Sequence, residues 1–526
     1  MAVVEYSPKE MNKHIQLSVD EIIENLSNIG APSEFDRENN LIISEVTPNR
    51  PDWYSVEGLA RSLKSYKYKK NNKYSAKKSN FKVTVDESVS KIRPYTVCVV
   101  VKGLKFDEQK VKDIIQLQEK LMSTLGRKVK KFGIGFYPLD NISFPLQYTT
   151  KKPDEINYIP LGHENEMSAN EILEKHKKGI QYGHFIKNNQ RYPVYIDAKN
   201  KIMCLIPIVN SAETGKIDEQ TKDVFVEVTG MDFGSVSGAL NIITCSLIDM
   251  GGVAHQVELD YGKKKISSPN LELQEIKINS KEAGKILGIS ISEHNLKDYL
   301  AKMGFDYKSG KVIVPPYRVD IIDKVDIIED IAIAYGYNNF ELTMPDFFSA
   351  GKVDRSSEKY DKVFLGMGFS EIKTFILTNK KKIENINSTE KVTEILNPSN
   401  EEYTVIRPTI IQEVLEVLSI NKTKGLPQKI YEIGIVQKQK TEKKLVFAIM
   451  DKQLEFSSVR GYIQTLSYEV NADYRLEKED SNLFEEKTSC KITSKGKKIG
   501  VFGQVRKEIL NKFGLGFDVY IGEVEL

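Results

Sequence analysis

Four carboxylates, Asp320, Asp326, Glu329 and Asp330, form the densest set of chemically capable side chains in the sequence. Asp326, Glu329 and Asp330 stand at i, i+3 and i+4 and so share one sector of a helix, while Asp320 precedes them on a segment that Pro315 and Pro316 keep extended. Like charges this close call for something cationic between them, and an oxygen-rich cluster that retains waters suits Mg²⁺. Acids in a first helical turn also answer the helix dipole and can stay solvated, so spacing alone leaves both readings open. The helix is expected from about Asp323 to Tyr335, with Val325, Ile328, Ala332 and Tyr335 on its apolar sector and Gly336 as its stop.

A second stretch has the chemistry of a phosphate contact. Lys64 to Lys78 contains seven lysines and no acid, interleaved with Tyr66, Tyr68 and Tyr74, a mixture of charge and stacking surface suited to RNA. The plainer reading, a solvated linker in a lysine-rich chain, is preferred. Cys98, Cys204, Cys245 and Cys490 lie far apart, with no paired spacing of the disulfide-framework or zinc type. The net charge of +3 restricts any nucleic-acid binding to local patches. In the last third, Arg407 and Arg460 are expected in surface or interface salt bridges in preference to a ligand.

The elements that must position these groups follow from periodicity and caps. Ser18 is expected to cap a helix ending before Gly30, and Asp52 or Ser55 to cap one whose apolar face is Val56, Leu59, Ala60 and Leu63. The turn before it, Asn49-Arg50-Pro51-Asp52, reads as rigid and structural. Strands are expected at Lys82–Val85, Tyr95–Val101, Met203–Val209 and Val224–Thr229, and a helix at Gln109–Leu125. With 526 residues the chain is too long for one core. No long apolar run occupies its N-terminus, so a cytoplasmic protein without a membrane segment is expected.

Arg318-x-Asp320, then Asp326, Glu329-Asp330 and Tyr335-Gly336-Tyr337-Asn338, resembles a signature of the beta subunit of phenylalanine–tRNA ligase of the archaeal and eukaryotic type. The Val46–Leu63 run around Asn-Arg-Pro-Asp resembles another. So do Pro160–Gly162, a helix expected at Glu171–Gly179, Tyr192-Pro193 and Val228–Asp232 in the middle of the chain. The resemblance implies that Asp320, Asp326, Glu329 and Asp330 hold Mg²⁺. It also implies an editing pocket for tyrosine mischarged onto tRNA, with Glu227 where the family has an Asp that reads the phenol, and with Thr229, Cys204 and Asn210. Here Cys204 replaces a Ser, Ile206 a Pro, and Tyr137-Pro138 a His-Asp, so weakened editing is expected.

The resemblance further implies a multidomain α+β fold. An N-terminal domain with a basic linker covers 1–80, an editing-type α+β domain 81–268, and a small helix-rich acidic-site domain 269–345. A degenerate class II synthetase antiparallel-sheet domain covers 346–526. Phosphate binding needs cationic groups, and no arginine follows Gly514-Leu515-Gly516. ATP is therefore assigned to an alpha subunit, in an (αβ)₂ assembly that acts on tRNA(Phe).

Overall fold

Ser18 starts its helix as expected. Its hydroxyl accepts from the Glu21 amide while the Glu21 carboxylate accepts from the Ser18 amide, and the helix Val19–Asn28 grows from this reciprocal cap. Ser55, the second of the two expected caps, receives the Gly58 amide and opens the helix Val56–Tyr68. That helix continues past Leu63 to Tyr68, so the first lysines of the basic run are helical. The rest of the run is not the solvated linker expected from composition. Asn71 donates to the Phe305 carbonyl, Asn72 to Asp249, and the buried Tyr74 hydroxyl to Asp249 at 3.0 Å. Of the three tyrosines only Tyr68 is exposed.

The structure is a computed structural model that describes residues 2–344 and 349–526, and it divides into two compact units, 1–343 and 344–526. The expected boundary at 345 and 346 lies outside the described residues. No helix among them is long and apolar enough to cross a membrane.

The first unit is mixed α+β. A three-stranded antiparallel sheet (Ala2–Tyr6, Leu41–Val46, Ser33–Asp36) precedes a ten-stranded sheet, and a second three-stranded sheet follows it. Along the large sheet the order is Val209–Asn210, Ile202–Leu205, Tyr192–Ile196, Leu146–Lys151, Lys77–Val85, Val253–Asp260, Tyr95–Lys102, Val224–Gly230 and Phe132–Pro138, with Lys265–Ser268 paired to Val253–Asp260. The two ends of this order approach each other, since the Asn210 side chain donates to the Phe136 carbonyl of the last strand. The helix expected at Glu171–Gly179 is two, Ala169–Lys175 and Lys177–Tyr182. His176 is extended between them, and its Nδ1 accepts the Lys178 amide.

The second unit is built on a seven-stranded sheet, antiparallel except for its first pair, with a separate apolar core on each face. The strand Gln428–Gln437 lies in this sheet and the helix Ile411–Ile420 packs against it.

Candidate functional site

Side chains alternate along a strand, so Glu227 and Thr229 of Val224–Gly230 share one face of the large sheet. The edge strand Phe132–Pro138 pairs with it, Glu227 opposite Gly135 and Phe225 opposite Tyr137, which puts Tyr137 on that same face. Ile202–Leu205 and Val209–Asn210, joined through Ile206-Pro207-Ile208, bring in Cys204 and Asn210. The structure thus gathers all four residues of the expected pocket, Cys204, Asn210, Glu227 and Thr229, around one cavity of about 280 Å³. Much of its remaining wall is apolar, including Ile114, Met122, Ile134, Phe136, Ile206 and Ile208.

Glu227 is 3% exposed, and burial pushes its carboxyl up to about 8, against the opposing pull of Arg93 and Tyr137. Its Oε2 has no hydrogen-bond partner. At neutral pH the group is therefore mostly a neutral acid that can donate as well as accept. Asn210 accepts the Tyr137 hydroxyl at 3.1 Å and donates to the Phe136 carbonyl at 3.3 Å. Burial pushes the Cys204 thiol up, so it is no nucleophile at neutral pH. The cavity supplies hydrogen-bonding groups over an apolar wall, a chemistry of recognition in preference to nucleophilic attack. Arg93 was not anticipated from sequence. It is buried and donates to the carbonyls of Thr229 and Val129 at 3.2 and 3.1 Å, holding the cavity floor in place.

The acidic set is arranged differently from its expected form. The helix Lys324–Tyr335 begins after Asp323 and ends at Gly336, where φ is +96°, as the sequence predicts. Its acids do not share a face: Asp330 is buried, Glu329 is exposed, and Asp326 turns back to accept the amides of Ile322 and Asp323 at 2.7 and 2.9 Å. Val325, expected on the apolar sector, is also exposed. Arg318 stands where the cation was expected. Its Nη2 donates to Asp330 and Asp320 at 2.7 Å each, and its Nε to Asp320 at 2.9 Å. Among the described residues no three acidic, imidazole or thiol groups gather as metal ligands do. Asp320 and Asp330 are brought together and Asp326 and Glu329 are not. With two carboxylates bonded to one guanidinium and a third spent on a helix cap, this donor set does not fit Mg²⁺.

Arg318 belongs to a larger buried ionic cluster. The rigid Asn-Arg-Pro-Asp turn contributes Arg50, which grips Asp52 through two bonds of 2.9 Å and lies over the Trp53 ring. Arg61 reaches Asp249 at 2.6 Å and stacks 3.8 Å above the Tyr317 ring. Asp52 lies close enough to Arg318, and Arg50 to Asp320, for their charges to act on each other. The two signatures that are distant in sequence thus meet in one cluster. Arg61 and Asp249 were missed by the sequence reading. The usable signal was that Asp249 is the sole charged residue of the otherwise uncharged helix Phe233–Asp249.

In the second unit Arg407 donates to Thr374 and pairs with Glu432 at 2.7 Å, a salt bridge in the interior and not at the surface or interface expected for it, while the exposed Arg460 makes none among the described residues. A depression of about 590 Å³ is lined by Lys438, Lys444 and Lys498 but also by Glu390, Glu442, Glu479, Asp480, Glu523 and Glu525. Lys444 is already paired with Glu523 at 2.8 Å. Carboxylates outnumber cations there, which repels a triphosphate. Gly514 and Gly516 lie in the loop between the helix Lys507–Lys512 and the strand Asp518–Glu525.

Comparison with known proteins agrees with these features. Residues 276–337 match the family described as tRNA synthetase B5 domain, and 345–526 the Phenylalanyl tRNA synthetase beta chain CLM domain. A phenylalanine–tRNA ligase beta subunit of Archaeoglobus fulgidus is 34% identical across 100% of this chain and 98% of its own length. The chain belongs to the phenylalanine–tRNA ligase beta-subunit family. Another member, from Methanosphaera stadtmanae, is 33% identical over 100% of this chain and 99% of its own. The crystal structure of an N-terminal fragment of the phenylalanyl-tRNA synthetase beta subunit of Pyrococcus horikoshii superposes with a TM-score of 0.61 at 34% identity. It covers 64% of this chain and 99% of the fragment. The family is one of ligases, and the resemblance drawn from the acidic and Asn-Arg-Pro-Asp signatures is borne out.

Proposed function

We propose that this chain is the non-activating partner in an (αβ)₂ phenylalanine–tRNA ligase of the cytoplasm. An alpha subunit activates phenylalanine with ATP and transfers it to tRNA(Phe). The beta chain supplies scaffold, tRNA contacts and a weakened editing site for tyrosyl-tRNA, in the four domains 1–80, 81–268, 269–345 and 346–526. The single observation that carries this reading is the match to beta subunits along the whole chain. The acid-rich depression of the second unit supports placing ATP elsewhere, because it offers a triphosphate more repulsion than attraction.

In the editing cavity, Asn210 and Glu227 are the polar groups that would read a phenol, and Thr229 borders them. A site built to bond a hydroxyl can reject the analogue lacking it far more strongly than an apolar pocket can reject an added hydroxyl. That asymmetry is the physical reason for a second, hydroxyl-reading site.

Affinity purification of the tagged chain from its own cells tests the assembly. The expected result is a second, synthetase-like chain in equal amount, at a solution mass of two copies of each. A chain that runs alone under the same conditions would count against the reading.

A further inference from the structure

Behind the two polar groups of this cavity, Asn210 and Glu227, stands a phenol of the chain itself. Tyr137 is fully buried, and its ring lies back across Gly135, where a Cβ would come within 2.6 Å of the Tyr137 hydroxyl and 2.5 Å of Glu227 Oε1. Only a residue without a side chain leaves that space. The hydroxyl donates to Asn210 Oδ1 at 3.1 Å and lies 3.5 Å from Glu227 Oε1. The ring packs against Phe225, and the Cys204 thiol lies beside it. Other tyrosines buried nearby are committed elsewhere: Tyr148 donates to the Arg93 carbonyl, Tyr158 to the Val209 carbonyl, and the Tyr195 hydroxyl is shared with Thr96 and Cys98. Among the described tyrosines Tyr137 is the one that addresses the Asn210–Glu227 pair.

We propose that Tyr137 is a built-in occupant of the phenol subsite, a specificity-determining residue that closes the cavity floor to a tyrosyl side chain. This rests on the editing reading of the cavity. A phenol has one proton to donate, and Asn210 Oδ1 already receives one of the same kind at the same place. A substrate tyrosine would have to displace Tyr137 to take its place on Asn210 Oδ1, and otherwise has the unpartnered Glu227 Oε2 in place of the pair. The substitution at this position therefore does more than remove a group: it fills the subsite with the functional group the subsite recognises.

The test separates occupancy from editing. In the full chain, Tyr137→Ala should bind p-cresol about tenfold more tightly than toluene, because an acceptor left without its donor favours the ligand that restores it. The wild type should bind neither at this position. A merely space-filling Tyr137 leaves a hole that takes toluene as well as p-cresol, as apolar cavities take benzene. Equal binding of the two, or selective p-cresol binding by the wild type, would overturn the proposal. Should the Ala variant not fold alone, Tyr137→Val keeps a strand-compatible residue, and refolding of either variant in p-cresol against toluene reads the same preference. With the alpha subunit added, Tyr137→Ala should clear tyrosyl-tRNA at least about tenfold faster than wild type. Selective p-cresol binding without that gain would support the occupancy and remove the editing reading instead.

Discussion

Replacing Asp330 by Ala should cost the first unit about 1.5–3 kcal/mol of stability, because it removes a hydrogen bond to a buried guanidinium and takes an acceptor from a group that cannot reach water. Arg318 and Asp330 are each 4% exposed. Arg318 Nη1 already lacks a hydrogen-bond partner, so the loss of Asp330 leaves one carboxylate, Asp320, to balance a buried cation. Asp330→Asn keeps the shape and one acceptor and should lose less. Denaturant unfolding of both variants measures the difference. A Mg²⁺ site would give another pattern: chelation would destabilise the wild type, and added Mg²⁺ would restore it. Here chelation should leave the wild-type midpoint unchanged. A loss under about 1 kcal/mol for Asp330→Ala, together with a midpoint that follows Mg²⁺, would return the site to a metal.

Glu227→Gln should stabilise the protein by on the order of 4 kcal/mol above pH 8 and do almost nothing near pH 4. Burial pushes this carboxyl up to about 8 from an ordinary 4.5. Between those two values the folded chain keeps the proton and the unfolded chain has lost it. A folded state that holds more protons than the unfolded one loses stability as pH rises, so the wild type weakens through this window. Below about 4.5 both states are protonated, and a neutral acid and an amide are close to equivalent. Burial also pushes Glu57 up to about 8 and Asp113 to about 6, so part of the slope should survive in the variant. Unfolding free energies of wild type and Glu227→Gln, measured from pH 4 to 9, should diverge steadily. Parallel curves would mean that Glu227 is ionised and solvated in the folded state.

What could be read from the sequence was local. Ser18, Ser55 and Gly336 announce helix ends because caps act within four residues. Cys204, Asn210, Glu227 and Thr229 were grouped by the family resemblance alone, since Ile202–Leu205 and Val224–Gly230 stand near opposite ends of the sheet order and no pairing joins them. The helix Lys324–Tyr335 was placed correctly and its faces were not, since a wheel with one apolar sector cannot describe a helix that buries Ile327, Ile328, Ile331, Ala332 and Ala334. The role of Arg318 was hidden for a different reason. An arginine two residues before an aspartate looks like part of a motif, and only tertiary packing shows its fork spanning Asp320 and Asp330. Arg61 and Asp249 pair across 188 positions, a separation that no local periodicity records. Tyr137 is the sharpest case. By type it stands for a lost imidazole, whereas the register opposite Phe225 turns its hydroxyl onto Asn210.

The claim that this chain is a ligase subunit without an activating site of its own is tested most directly by phenylalanine-dependent exchange of pyrophosphate into ATP. The account predicts no exchange above background by the purified beta chain, and robust exchange once the alpha chain is added. Exchange by the beta chain alone, at a rate comparable with the assembled enzyme, would contradict it.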